Sequence, residues 1–161
     1  MLRIIGAVCL IFAGAAAGCL QSRKLKDYRD RLRDFLQFLS EGKTEITYCA
    51  VPVEEILERH GKKLAYLQPY FRAAASGAEF ERAWTAAAEE PSLSPQERSL
   101  LCGFGKGFGA TDVQGQQSHF SLYEEMVRRE LSDAEENYQK KGKLYQMLGV
   151  CAGAVLALVL V

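Results

Sequence analysis

Two stretches of this chain hold residue types that could do chemistry. The first is GFGKGFGATD, Gly103 to Asp112. Glycine-rich turns ahead of helices cradle phosphates with free backbone N–H groups. The detail does not fit: Lys106 is followed by Gly107 where a phosphate loop needs Ser or Thr, and a helix precedes the run where a dinucleotide fingerprint needs a strand. The run reads as a glycine-rich helix end and turn before a helix capped by Thr111 or Asp112.

The second stretch is AGAAAGCLQSRK, residues 13 to 24. Small residues lead into Cys19 after an apolar run, as they do where bacterial signal peptides are cut and the new terminal cysteine is lipidated. Ala16 stands three residues before Cys19, where leucine is usual. The positive charges that follow also argue for retention, so Cys19 is expected as an unmodified residue of a retained helix.

The remaining reactive side chains are dispersed. Cys9, Cys19, Cys49, Cys102 and Cys151 form no C-x-x-C pair to suggest a zinc site or redox motif, and their odd number and wide spacing fit free thiols in a reducing compartment better than a secreted disulfide framework. His60 and His119 stand alone and are expected at surface or helix-end positions. Glu54 and Glu55, or Glu124 and Glu125, are adjacent on helices and point apart, so neither pair makes a general acid and base. No catalytic residue, metal ligand or cofactor site is expected.

The elements that carry these residues all read as helices. The apolar stripe Tyr28, Leu32, Phe35, Leu36, Leu39 and Ile46 has helical spacing. Pro52 suits a helix start, with Val53, Ile56 and Leu57 on one face and Gly61 as a stop. Leu64 to Ser76 reads as one helix ended by Gly77, with Pro69 costing it a hydrogen bond or a kink. Phe80, Ala83, Trp84 and Ala87 mark another. SPQE from Ser94 to Glu97 is a capping box that opens a helix through Leu100, Leu101 and Phe104. From Asp112 a long helix carries Val113, Phe120, Tyr123, Val127, Leu131, Ala134 and Tyr138 inward.

Both chain ends are apolar. Residues 4 to 20 and 144 to 161 lack charge, and seventeen residues at 1.5 Å rise cover roughly 26 Å. Six basic residues from Arg23 to Arg33 follow the first segment against Arg3 before it, and Lys140, Lys141 and Lys143 precede the second. The expectation is an all-α helical-bundle cytoplasmic domain, residues 23–143, flanked by transmembrane helices 1–22 and 144–161. The polybasic segment could touch the lipid bilayer. Twenty basic and twenty acidic side chains cancel, and Asp27, Asp30 and Asp34 interleave with the basic run, which argues against nucleic acid as a partner.

Ordered pieces resemble the stage III sporulation protein AB family of endospore-forming bacteria: MLRIIGAVCLIFAGAAAG, TEITYCAVPVEEIL, FERAW, GKGFGATDVQGQQ and KLYQMLGVCAGAVLALVLV. The resemblance implies a helical domain similar to the cytoplasmic domains of type II secretion F-type platform proteins. It implies a non-enzymatic membrane platform in a channel complex between mother cell and forespore, two-pass, with its central domain in the mother-cell cytoplasm. Its implied partners are a cytoplasmic secretion-type sporulation ATPase and other membrane proteins of the complex. The alternative is a small membrane-anchored regulatory or lipid-binding protein without an ATPase partner.

Carried onto this sequence, the family's motif positions are Glu45, Tyr48, Pro52, Glu55, Trp84, Gly105, Gly109, Asp112 and Gln116. Tyr48 and Trp84 are expected as core aromatics, Gly105 and Gly109 as turn formers, and Asp112 as a helix cap. Pro52 and Gln116 are also taken as structural. Glu45, Glu54 and Glu55 are the candidates for partner contact.

Overall fold

Six α-helices account for most of the chain in the computed structural model, which describes residues 2–49 and 51–160. They are α1 (Leu2–Cys49), α2 (Val53–His60), α3 (Gln68–Ala75), α4 (Phe80–Ala88), α5 (Pro95–Gly107) and α6 (Val113–Leu160). Among the described residues no strand occurs. The chain divides into two units, one of Met1–Asp30 with Ser132–Val161 and one of Arg31–Leu131. Helices α1 and α6 supply residues to both.

Local chemistry sets several boundaries. Ser94 Oγ accepts the Glu97 N–H at 3.2 Å while Glu97 Oε2 accepts the Ser94 N–H at 2.7 Å, and Pro95 takes the first helical position. Two of the early donors of α5 are thereby satisfied. Asp112 Oδ1 accepts the Gly115 N–H at 2.9 Å and caps α6. Gly77, at φ +86°, turns the chain after α3.

Residues 61–67 depart from the expected helix. Gly61 keeps a right-handed conformation (φ −66°, ψ −30°), and α2 runs on into two 3₁₀ turns, Gly61–Lys63 and Ala65–Leu67. Pro69 lies in the first turn of α3, where its missing N–H costs nothing, and produces no kink.

The core of the Arg31–Leu131 unit is aromatic. Phe104 is its centre, meeting Phe35, Phe38 and Phe120 edge-on at ring separations of 5.7, 6.1 and 5.1 Å, the geometry that ring quadrupoles favour. Leu32, Leu39, Ile56, Leu57, Leu67 and Val127 are buried around the rings. Val113, expected to face inward on α6, is half exposed. In the other unit, α1 and α6 touch through glycine. A Cβ on Gly14 would lie 2.3 Å from the Gly149 carbonyl oxygen, and one on Gly149 would lie 2.4 Å from that of Gly14. Arg29 there covers the Tyr138 ring at 4.5 Å.

Among the described residues no helix is long and apolar enough to cross a membrane. This corrects the expected flanking transmembrane helices and the two-pass localisation built on them. Absence of charge was an insufficient criterion: eight of the seventeen residues from 4 to 20 are Gly or Ala, which add little transfer free energy. Each apolar run is one end of a 48-residue helix whose remainder is strongly charged. Positions 1 and 161, the outer ends of the two expected segments, lie outside the described residues.

Candidate functional site

The exposed edge of α2 is the place to begin, because it holds two of the three carboxylates singled out for partner contact. Glu54 and Glu55 are both exposed, and Glu55 is engaged with Arg59 one turn on. Glu58 follows on the same helix and pairs with Lys62 at 3.6 Å. Such exposed pairs contribute little stability and exchange readily for another charged group. Behind this edge, Tyr70 of α3 has its hydroxyl ionisation pushed up by burial and then by Glu54 and Glu58.

Glu45 belongs to a different arrangement. His60, the last residue of α2, shares a hydrogen bond with Glu45 Oε1 through Nε2 at 2.9 Å and has Nδ1 2.5 Å from Glu41 Oε2 without hydrogen-bond geometry, so the ring lies between two carboxylates of α1. Arg59 stands 3.7 Å from Glu45. Glu41 is held below the usual carboxylate range, first by the hydrogen bond from Gln37 and then by the nearby His60 and Lys63, against an opposing effect of partial burial. His60 is therefore a clasp between α1 and α2 and not an isolated surface residue. Glu45 is half buried within that clasp.

The glycine-rich run is helical through Gly107, and only Gly109, at φ +75°, makes the turn. Gly105 is thus corrected from turn former to packing position: a Cβ there would lie 2.1 Å from Trp84 Nε1. Gly103 and Gly107 make the same allowance for Tyr123 and His119, at 2.4 and 2.3 Å. His119 lies against the Phe104 ring with Nε2 2.8 Å from the Phe104 carbonyl oxygen. Inside a helix the N–H groups of such a run are already bonded, so it offers no phosphate cradle.

Gln116 closes the α5–α6 turn. Its Oε1 accepts the Gly109 N–H at 3.1 Å, and its Nε2 donates to the Gly107 carbonyl and to Thr111 Oγ1, both at 2.9 Å. At 3% exposure it is a buried polar side chain with its amide used on both sides. Pro52 stands just before α2, its carbonyl accepting from Glu55 and Ile56. Trp84 is buried, with its indole N–H donating to the Leu101 carbonyl at 2.8 Å. Tyr48 is 82% exposed and is not a core aromatic. Leu39, Gly42 and Ile46 set the inward phase of α1, and position 48 falls on the outer face.

All five cysteines are free thiols, with Cys102 half buried and the others exposed. Among the described residues no group of three or more His, Cys, Asp or Glu side chains is placed to hold a metal ion. Sequence reasoning missed the ion pair between Arg31 and Glu97, in which Arg31 Nε and Nη2 donate to Glu97 Oε1 and Oε2 at 2.7 and 2.9 Å. No local signal links positions 66 residues apart.

A family model described as stage III sporulation protein AB matches residues 3–161. Comparison with curated proteins and with solved structures gives no match.

Proposed function

The chain belongs to the stage III sporulation protein AB family, and from that premise we propose that it is the scaffold in a sporulation channel complex that engages a secretion-type ATPase. It is a non-enzymatic protein of this family. The observation that carries the proposal is the extent of the family match, residues 3–161, which takes in the whole Arg31–Leu131 unit and its aromatic core. A helical body of this kind holds a partner in position and transmits force without bond-breaking chemistry.

The contact lies on the edge of α2, where Glu54 and Glu55 present exposed carboxylates to a basic partner surface. Glu45 would join it only by leaving the His60 clasp. Other proteins of the channel complex complete the assembly.

Co-purification of the full chain with the ATPase tests the reading. Association is expected, and Glu54→Lys with Glu55→Lys should weaken it in a salt-sensitive way. Failure of the wild-type chain to associate would sink the scaffold role, whereas undisturbed association of the double variant would move the contact to another face.

A further inference from the structure

Helix α6 carries no charge from residue 144 onward, and its side chains there sort by size onto two faces. Small residues make the first. Gly149 and Gly153 lie against Gly14 and Gly18 of α1, and Gly142 faces Ser22. Large residues make the second: Leu144, Leu148, Cys151, Val155 and Leu158 are all exposed, from 51% at Leu144 to 80% at Leu158. At roughly 100° per residue the centre of this second face lies opposite the glycines. The close glycine contact therefore holds α1 on the far side of α6 and leaves the large stripe open.

The spacing of the stripe identifies what fits it. Steps of four, three, four and three residues make the a/d seam of a heptad repeat, which receives a second helix by knobs-into-holes packing. A helix face that covers a globular core is wider and follows a period of 3.6. The stripe is also self-complementary. Reversed in direction, the steps between Leu144, Leu148, Cys151 and Val155 read the same. Two antiparallel copies of α6 thus set Leu144 of one against Val155 of the other, and Leu148 against Cys151.

Charge selects between the two directions. Lys141 is the next residue of the same stripe, and Lys140, Lys141 and Lys143 are exposed. A parallel pair would bring Lys141 against its own copy with the other lysines alongside, whereas an antiparallel pair sends them to opposite ends. Each stripe offers on the order of 500 Å² of apolar surface. A symmetric pair then buries about 1,000 Å², the size at which specific interfaces begin.

We infer that the outer face of α6 is a homodimer interface, in which the 144–158 stripe pairs antiparallel with the same stripe of a second copy about a two-fold axis. The inference stands apart from the scaffold reading and needs no ATPase. Its modest area makes the dimer weak and dependent on concentration.

Analytical ultracentrifugation of the full chain over a concentration series should show a reversible monomer–dimer equilibrium. Alkylation of Cys151, followed peptide by peptide by mass spectrometry, should slow as concentration rises, while that of Cys49 should not. Leu144→Glu and Val155→Lys change side chains that are exposed in the single chain, and circular dichroism checks that both variants fold. Each alone should weaken dimerisation by about tenfold or more, because an unpaired charge enters the seam twice. Combined in one chain, they should recover about threefold or more of that loss, since each new carboxylate meets a new ammonium of the other copy, and the recovery should shrink in high salt. A wild-type chain that stays monomeric, with Cys151 alkylated at one rate throughout, overturns the interface. A dimer that both single variants leave intact does the same. Weakening by each substitution without recovery in the combination overturns the antiparallel pairing.

Discussion

Arg31 and Glu97 lie 66 residues apart in sequence and meet in a two-pronged ion pair, with Glu97 only 6% exposed. The same carboxylate closes the capping box at Ser94, so one side chain ties α1 to the start of α5. Glu97→Ala should cost about 3 kcal/mol, because it removes the cap and takes both prongs of the pair from the half-buried Arg31 guanidinium. Ser94→Ala, which breaks only the cap, should cost about 1 kcal/mol. Urea unfolding of the full chain measures both, and equal losses would mean that the ion pair contributes nothing.

Gly105→Ala should destabilise the protein by about 1 to 3 kcal/mol through overpacking, because the new methyl meets the Trp84 indole and not solvent. Trp84 is the sole tryptophan of the chain, so its fluorescence reports the displacement directly. An unchanged emission maximum together with unchanged stability would show that the α4–α5 contact is loose.

The Tyr66 hydroxyl is buried without a hydrogen-bond partner. Removing an unsatisfied polar group is favourable, and Tyr66→Phe is expected to leave stability unchanged or raise it by about 1 kcal/mol. Burial, then the nearby Asp34 and Glu97, push Tyr66 ionisation well above its ordinary value. The folded state thus favours the neutral phenol. That stability is fully present below roughly pH 10 and is lost as pH rises beyond it. Denaturation curves at alkaline pH should fall less steeply for Tyr66→Phe than for wild type, and parallel curves would contradict the assignment.

Glu41 supplies the acid-side counterpart. The Gln37 hydrogen bond comes first among the causes that lower its ionisation. Its contribution is present above the ordinary carboxylate value and disappears as pH falls through the lower, folded-state value. Glu41→Gln should therefore show a shallower loss of stability below about pH 4.3. Thermal unfolding across that range is the measurement, and an unaltered slope would remove Glu41 from the clasp's energetics.

Features set by near neighbours were legible in the sequence. The capping box at Ser94 and Glu97 is a four-residue device, and Phe35, Leu39, Phe120 and Val127 declare their face by helical spacing alone. What escaped was decided at a distance. The run from Gly103 reads as a helix end and turn, yet Gly103, Gly105 and Gly107 are small because Tyr123, Trp84 and His119 arrive from elsewhere in the chain. His60 seemed solitary because its two carboxylates lie fifteen and nineteen positions back on another helix. Tyr48 could have been placed correctly by extending the phase of Leu39 and Ile46.

The aromatic core also sets a timetable for biosynthesis. Phe35 and Phe38 find their ring partners in Phe104 and Phe120, and Arg31 finds Glu97. Translation proceeds at roughly 5 to 20 residues per second, so the 66 residues between Arg31 and Glu97 separate their emergence by roughly 3 to 13 s. Throughout that interval the phenylalanines of the nascent first helix lack their ring partners Phe104 and Phe120. A half-translated chain of this protein is a client for a holding chaperone, and slowing the ribosome between positions 50 and 95 should lengthen that dependence without altering the finished fold.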